Sequence, residues 1–441
     1  MKRLLLLLIL IVVGLQAALA QEDVFRVDAS TSLGTISPYV FGANMGHHAL
    51  IPGALLDEAQ ALNLNFLRFG GGDSDQQDLR TSTLDIFVLQ ARAIGTEPLV
   101  TVRLLNGTPE AAAEMVRYAN VEKGYNIRYW SIGNEPNLFV RVLGAPSYST
   151  EDLVAQWRAI AEAMLAVDPE IMLVGPDITQ YVVFDTDPMT YLEMSSGGHP
   201  RDDQGRDWLI EFLRANGDLV DIVSIHRYPF AGGGDRGATV EGLPAVSHEW
   251  DVAIPNLRQV IREAAGRDIP IAVTEFNSNS SQNIGGEASL DSLANAIWIG
   301  DVLGRLIRNQ VEYATVWDIQ GSPVRGWGLL GTYDVRPAYY SYLMYTHFGT
   351  ELLASESSDP LVSISAALRD DGALTLMVVN LGRDEATKTL SLSGFAAGGD
   401  AEVWQFDAEH NAEALDAQAI SDGTTITVPG LSMTVYVLPP Q

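Results

Sequence analysis

Eight short, unbroken apolar runs punctuate the chain between residues 39 and 318, and nothing else in the sequence restricts its fold so strongly. They are Tyr39–Gly42, Asn65–Phe69, Pro98–Val102, Tyr129–Gly133, Ile171–Gly175, Ile222–Ile225, Ile271–Thr274 and Tyr313–Trp317. The runs are continuous rather than alternating, which is the pattern of parallel strands covered on both faces. Helix-like stretches separate most of them: Leu55–Leu62, Leu84–Ala93, Pro109–Tyr118, Trp208–Arg214, Val252–Ala265 and Leu290–Arg308. In another, Thr150-Glu151-Asp152 reads as an N-cap with an acidic first turn, followed by Leu153, Trp157, Ile160, Ala161 and Met164 at helical spacing. Strands alternating with helices over this length predict a (β/α)8 TIM barrel, whose usual size is about 250 residues. A doubly wound open sheet is the rival, but Gly70-Gly71-Gly72 and Gly232-Gly233-Gly234 carry neither a dinucleotide nor a phosphate-loop fingerprint.

Beyond Gly349 the texture changes. Val362–Ser365, Leu374–Val379, Lys388–Leu392, Glu402–Phe406, Thr425–Val428 and Thr434–Leu438 read as strands parted by turns such as Asp370-Asp371-Gly372 and Asp422-Gly423. They predict a C-terminal antiparallel β-sandwich over 349–441, joined by an N-terminal strand segment within 21–38, with the barrel over 39–348. Lys2 and Arg3, the apolar run Leu4–Val13 and the ending Ala18-Leu19-Ala20 form a signal peptide, 1–20, with cleavage expected before Gln21. An uncleaved anchor is the alternative, though the apolar stretch falls short of the ~20 residues a span needs. The expected product is secreted or periplasmic, without stable membrane insertion. A net charge of −29 argues against nucleic acid as a partner and disfavours polyanionic glycans. The absence of cysteine excludes thiol catalysis and cysteine–zinc sites.

In a TIM barrel the functional side chains lie at the C-terminal ends of the strands. The fourth run ends Gly133-Asn134-Glu135-Pro136 and the seventh Thr274-Glu275-Phe276-Asn277. The sixth leads into His226-Arg227-Tyr228, the eighth into Trp317-Asp318, and Arg68 stands at the end of the second. Retaining glycoside hydrolysis needs a proton donor and a facing carboxylate about 5–5.5 Å away. Strands four and seven face each other across an eight-strand barrel, so Glu135 and Glu275 can form such a pair.

Gly133-Asn134-Glu135-Pro136 and Thr274-Glu275-Phe276 resemble the signature of the clan-A retaining glycoside hydrolases. That resemblance implies Glu135 as acid/base, Glu275 as nucleophile, Tyr228 as the nucleophile's hydrogen-bond partner and Trp317 as the floor of the sugar site. A barrel with a C-terminal sandwich and an N-terminal strand is similar to the heparanase-like, arabinofuranosidase and xylosidase branches. The implied activity is cleavage of O-glycosidic bonds in oligo- or polysaccharides, with no cofactor. Each role has a physical reason. Glu135 is expected to have a raised pKa, from an apolar site and the charge on Glu275. Asn134 suits a sugar 2-hydroxyl, Trp317 the sugar's C–H face, and Arg68 a carboxylate that it holds ionised.

Plainer readings stand beside these. Glu135 alone is equally a helix cap, Tyr228 a rim hydrogen bond, Trp317 core packing and Arg68 a barrel salt bridge. His226 is balanced between sugar contact and a satisfied buried imidazole. Asn44, His47 and His48 follow the first run and are candidates for lining the subsite. A catalytically inactive carbohydrate-binding barrel is the alternative function. No metal site is expected: there is no H-E-x-x-H, and Asp73-Ser74-Asp75 lacks the order of a calcium loop. No G-x-S-x-G elbow supports a serine hydrolase. The sequence leaves oligomeric state open.

Overall fold

The computed structural model describes residues 23–181, 199–230, 237–281, 284–321 and 326–441. The expected leader 1–20, with its cleavage site, and the Gly232-Gly233-Gly234 triplet lie outside the described residues. The first strand is β1 (Val24–Thr35); then come β2 (Gly42–Met45), β3 (Phe66–Phe69), β4 (Glu97–Val102), β5 (Tyr129–Ile132), β6 (Met172–Thr179), β7 (Ile222–Arg227), β8 (Ile271–Phe276) and β9 (Tyr313–Val316). Strands β2 to β9 pair in parallel in chain order, and β2 also pairs with β9, so the sheet closes into an eight-stranded barrel. Closure removes the open-sheet alternative.

Two local expectations shift. Tyr39–Gly42 is not the first barrel strand. The Ser37 side chain accepts from the Tyr39 N–H and Pro38 opens a 3-10 turn over Pro38–Val40, so extended backbone begins only at Gly42. Asn44 therefore lies on a strand rather than after it. In the helix Thr150–Val167 the N-cap is Ser149, reciprocally bonded with Asp152 in a capping box, while the Thr150 hydroxyl donates to Asp202.

Side chains alternate across each strand, and the inward faces are built in two layers. Phe66, Leu99, Tyr129, Val174, Ile222, Ala272 and Tyr313 form one apolar cluster, with Phe66 and Tyr313 stacked at 4.4 Å between centroids. Two residues further along their strands stand Arg68, Thr101, Ser131, Ser224, Thr274 and Thr315, all buried. The plug seals the lower half of the barrel and leaves the polar layer as the floor of its upper mouth. Outward residues such as Leu67, Val100, Trp130, Leu173, Val223 and Val273 join the main core under the helices.

The remaining strands are β10 (Glu351–Ser357), β11 (Val362–Leu368), β12 (Leu374–Asn380), β13 (Ala386–Ser393), β14 (Ala401–Phe406), β15 (Asn411–Gln418), β16 (Thr425–Val428) and β17 (Ser432–Leu438). With β1 they form one sheet in the order β15-β14-β17-β12-β11-β10-β1-β13-β16. Strands from both halves of that order share a second core containing Phe25, Ile364, Leu390, Val403 and Tyr436. The sheet is antiparallel except where β1 runs parallel to β13. The barrel helix Leu293–Arg308 packs on this sheet through its small residues: a Cβ on Gly300 would lie 2.3 Å from the Met433 sulfur. No helix among the described residues is long and apolar enough to cross a membrane.

Candidate active site

The floor of the barrel mouth is organised by one guanidinium. Arg68, on β3 and fully buried, donates through Nη1 to Asn44 Oδ1 at 2.8 Å and to Glu275 Oε1 at 2.9 Å. Its Nη2 donates to Asn134 Oδ1 at 2.8 Å and to Asp177 Oδ2 at 3.1 Å. One planar fork thus ties the ends of β2, β5, β6 and β8 together, a task its fixed donor geometry suits and a lysine's does not. Asn44 spends its amide on main-chain carbonyls, Thr274 at 2.9 Å and Thr315 at 3.0 Å. Neither the Asn44 nor the Arg68 side chain is exposed. Both are engaged inside the barrel, Arg68 on carboxylates and Asn44 on Arg68.

Glu275 is held from two sides. Arg68 takes Oε1, and the Tyr228 hydroxyl donates to Oε2 at 2.8 Å. Tyr228 itself stays protonated, since burial and the neighbouring Glu275 and Glu135 charges push its pKa well above the usual phenol value. Glu135 is more open, with 22 % of its side chain exposed against 7 % for Glu275. It sits in left-handed backbone, φ 51° and ψ 54°, an uncommon conformation for a residue with a Cβ. An oxygen of Glu135, an oxygen of Glu275 and a ring nitrogen of His226 all lie within 4.8 Å of one another.

His226 lies between carboxylates and is enclosed rather than facing the cleft. Its Nδ1 is 3.1 Å from Glu135 Oε1 and 3.6 Å from Glu275 Oε2, and its Nε2 is 3.6 Å from Asp177 Oδ1. Burial disfavours the imidazolium, but the charge on Glu275 and the contacts to Asp177 and Glu135 outweigh it and push the pKa to about 9. This overturns the expectation of a raised pKa at Glu135. Burial does raise it, yet the hydrogen bond and positive charge of His226, with help from Thr179 and Arg68, bring it below the ordinary carboxylate value. In the free site the imidazole therefore holds the proton that the pair shares.

Asp177, on β6, is the member that strand-end reasoning passed over. It is buried beside Arg68 and His226, accepts from the Thr274 hydroxyl at 2.5 Å, and its carboxyl is held far below the usual range. The only signal for it was its place two residues past the fifth apolar run, behind Gly175-Pro176. Three carboxylates, Glu135, Asp177 and Glu275, thus meet two basic side chains, Arg68 and His226. Glu135, His226 and Glu275 also have the spacing of cation ligands. The Arg68 guanidinium and the Tyr228 hydroxyl already occupy Glu275, and a fixed positive charge at 2.9 Å opposes a metal ion.

Trp317 follows β9, half-buried, its ring lying over Gly71. It borders a cleft of about 570 Å³ whose walls include His47, His48, Asp73, Gln76 and Trp327. The two histidines diverge: His47 packs edge-on to Phe69 at 4.7 Å, whereas exposed His48 lies 3.7 Å from Asp73. Asn134 and Tyr228 are nearly enclosed, at 5 % and 4 % exposure.

No family model matches the sequence, and no curated protein matches it. Solved structures do resemble it. CelM2, a bifunctional glucanase-xylanase protein from a metagenome library, is 19 % identical, with 95 % of this chain and 99 % of that chain covered and a TM-score of 0.74. A Paenibacillus polymyxa xyloglucanase of GH family 44 gives 18 %, 95 %, 99 % and 0.72 on the same measures. The α-L-arabinofuranosidase of Thermotoga maritima gives 16 %, 94 %, 99 % and 0.71. This chain has the fold of those proteins over nearly its whole length: a TIM barrel with a C-terminal β-sandwich.

Proposed function

We propose that the protein is an exported retaining glycoside hydrolase that cleaves O-glycosidic bonds in oligo- or polysaccharides by double displacement. The observation that carries this reading is the pair of carboxylates, Glu135 just past β5 and Glu275 on β8, with oxygens no more than 4.8 Å apart. An inverting enzyme separates its carboxyl groups by about 6.5–9.5 Å to admit a water between them; a retaining one needs about 5 Å. Proteins of this fold that act as glucanase, xylanase, xyloglucanase and arabinofuranosidase support the reaction class.

In the first step a Glu275 oxygen forms a bond to the anomeric carbon as the bond to the leaving oxygen breaks. The leaving oxygen takes its proton from Glu135, which draws it from His226 Nδ1 at 3.1 Å. In the second step water attacks the glycosyl ester, gives a proton back to the Glu135–His226 pair, and frees the Glu275 carboxylate. Arg68 and Tyr228 keep the Glu275 carboxylate aimed throughout. Trp317 offers its exposed face to the sugar, and Asn134, whose Oδ1 is fixed by Arg68, has its amide nitrogen for a sugar hydroxyl.

The test is Glu275→Ala with an aryl glycoside panel spanning arabinofuranoside, xyloside, glucoside and glucuronide. Turnover is expected to fall by at least about 10⁴-fold, a loss of the size seen when a catalytic group is removed. Azide is expected to restore part of it as a glycosyl azide, and product NMR on the parent enzyme to show retained configuration. Inversion, or undiminished turnover in the variant, removes the mechanism. Glycan binding without turnover by the parent protein would point to a carbohydrate-binding barrel instead.

A further inference from the structure

The backbone that carries Glu135 is suspended from three neighbours. The Gly133 N–H donates to Val102 O at 2.9 Å, and the Glu135 N–H donates to Asp177 O at 3.2 Å. Between them the Asn134 N–H donates to a side chain, Asp75 Oδ2, at 2.7 Å. The same carboxylate accepts through Oδ1 from the Leu104 N–H at 2.7 Å and the Leu105 N–H at 2.8 Å. Asp75 is 2 % exposed and faces no sugar. It stands beyond β3, while its three donors stand beyond β4 and β5, so one buried carboxylate joins three consecutive loops of the barrel mouth.

We propose that Asp75 is a positioning residue for proton donation by Glu135. The strained φ of 51° at Glu135 has to be maintained by its surroundings. Of the three hydrogen bonds donated by this turn's backbone, only that of Asn134 goes to a side chain. Without that acceptor the Asn134 N–H is left buried and unpaired, and the turn relaxes toward ordinary backbone. Such a shift moves the Glu135 carboxyl relative to the leaving oxygen, whereas Glu275 on β8 keeps its contacts with Arg68 and Tyr228. The chemistry predicted to suffer is therefore protonation of the leaving group and not nucleophilic attack.

This inference rests on the acid/base reading of Glu135, and the experiment separates the two. Asp75→Asn keeps the volume and loses an acceptor. Its kcat/KM is to be compared on 2,4-dinitrophenyl and phenyl glycosides of whichever sugar the parent enzyme hydrolyses best. The first leaving group departs without a proton and the second does not. The expected result is a loss of at least about tenfold on the phenyl substrate and less than about threefold on the dinitrophenyl substrate, since an ångström of misplacement costs up to ~10²-fold. Equal losses on both substrates, or no loss on either, would overturn the proposal. Should Asp75→Asn fail to fold, Asp75→Glu keeps the charge while displacing it, and the same selective loss is expected. Glu135→Ala is the control for the underlying reading: if it shows no dependence on leaving group, the acid/base assignment itself falls, whatever Asp75 does.

Discussion

His226 presents both ring nitrogens to acids, Nδ1 to Glu135 and Nε2 to Asp177, and in the proposed mechanism this is where the proton for the glycosidic oxygen is stored. Removing that proton empties the Glu135–His226 pair of its donor. The basic limb of kcat/KM is therefore expected near the imidazolium value of about 9, with the rate falling as pH rises through it. In His226→Asn the proton must sit on Glu135 itself, and the limb is expected to move down by roughly a unit or more, read from a pH–rate profile. A limb that does not move would remove His226 from the proton's path. Most residues gathered here were legible, because Glu135, Glu275, Tyr228 and Arg68 all stand at or just past the ends of apolar runs. Asp177 was not, since Gly175-Pro176 reads as punctuation while the strand continues to Thr179. The direction of the Glu135 shift was equally hidden. It depends on an imidazole that is 91 positions away in sequence and 3.1 Å away in space.

At the level of elements, most barrel strands were legible because their outward faces are largely apolar. The polar inner layer was less so: a Thr or Ser every second residue inside an apolar run resembles ordinary strand composition. Tyr39–Gly42 misled because Pro38 and Ser37 impose a turn on residues of good strand propensity. β15, Asn-Ala-Glu-Ala-Leu-Asp-Ala-Gln, carries almost none of the branched residues that mark strands; it lies at the sheet edge and is mostly exposed. The end of β3 yields a sharper expectation. Gly71 has φ +118°, and a Cβ there would lie 2.5 Å from the Trp317 ring. Gly71→Ala is expected to cost roughly 1–3 kcal/mol in backbone strain and to displace the indole. If the indole floors the sugar site, kcat/KM falls about tenfold or more, and adding Gly71→Ala to Trp317→Ala brings little further loss. Fully additive losses in that double-mutant cycle would show that Gly71 acts by another route.

Across the whole molecule, the barrel and the sheet are joined by charge as well as by close packing. Asp301, buried on the helix Leu293–Arg308, accepts from Arg305 Nε at 2.7 Å and Ser247 Oγ at 2.5 Å, and also from Ser363 of β11. Burial opposes its ionisation, but the Arg305 charge and the two hydroxyls prevail and lower its pKa to about 2, against 3.8 when unperturbed. A depressed carboxylate contributes stability that is present above the unfolded value and lost as pH falls through the folded one. Denaturation measured between pH 4 and 2 is expected to show about 2 kcal/mol of acid sensitivity from this group. Asp301→Asn leaves Arg305 short of a partner, and is expected to cost about 3 kcal/mol at neutral pH with a gap to the parent that narrows on acidification. A gap independent of pH would assign the loss to packing alone.

The two strands flanking β1, β10 and β13, come from beyond the barrel in the chain: Val27 lies opposite Ser355 on one side and Leu392 on the other. A ribosome delivers β1 before the barrel and both of its neighbours after it. Throughout synthesis the earliest strand waits, its edges unclaimed, while the barrel is assembled behind it. The second core can close only after β17 has been made, so a chain interrupted before β10 leaves β1 without either partner.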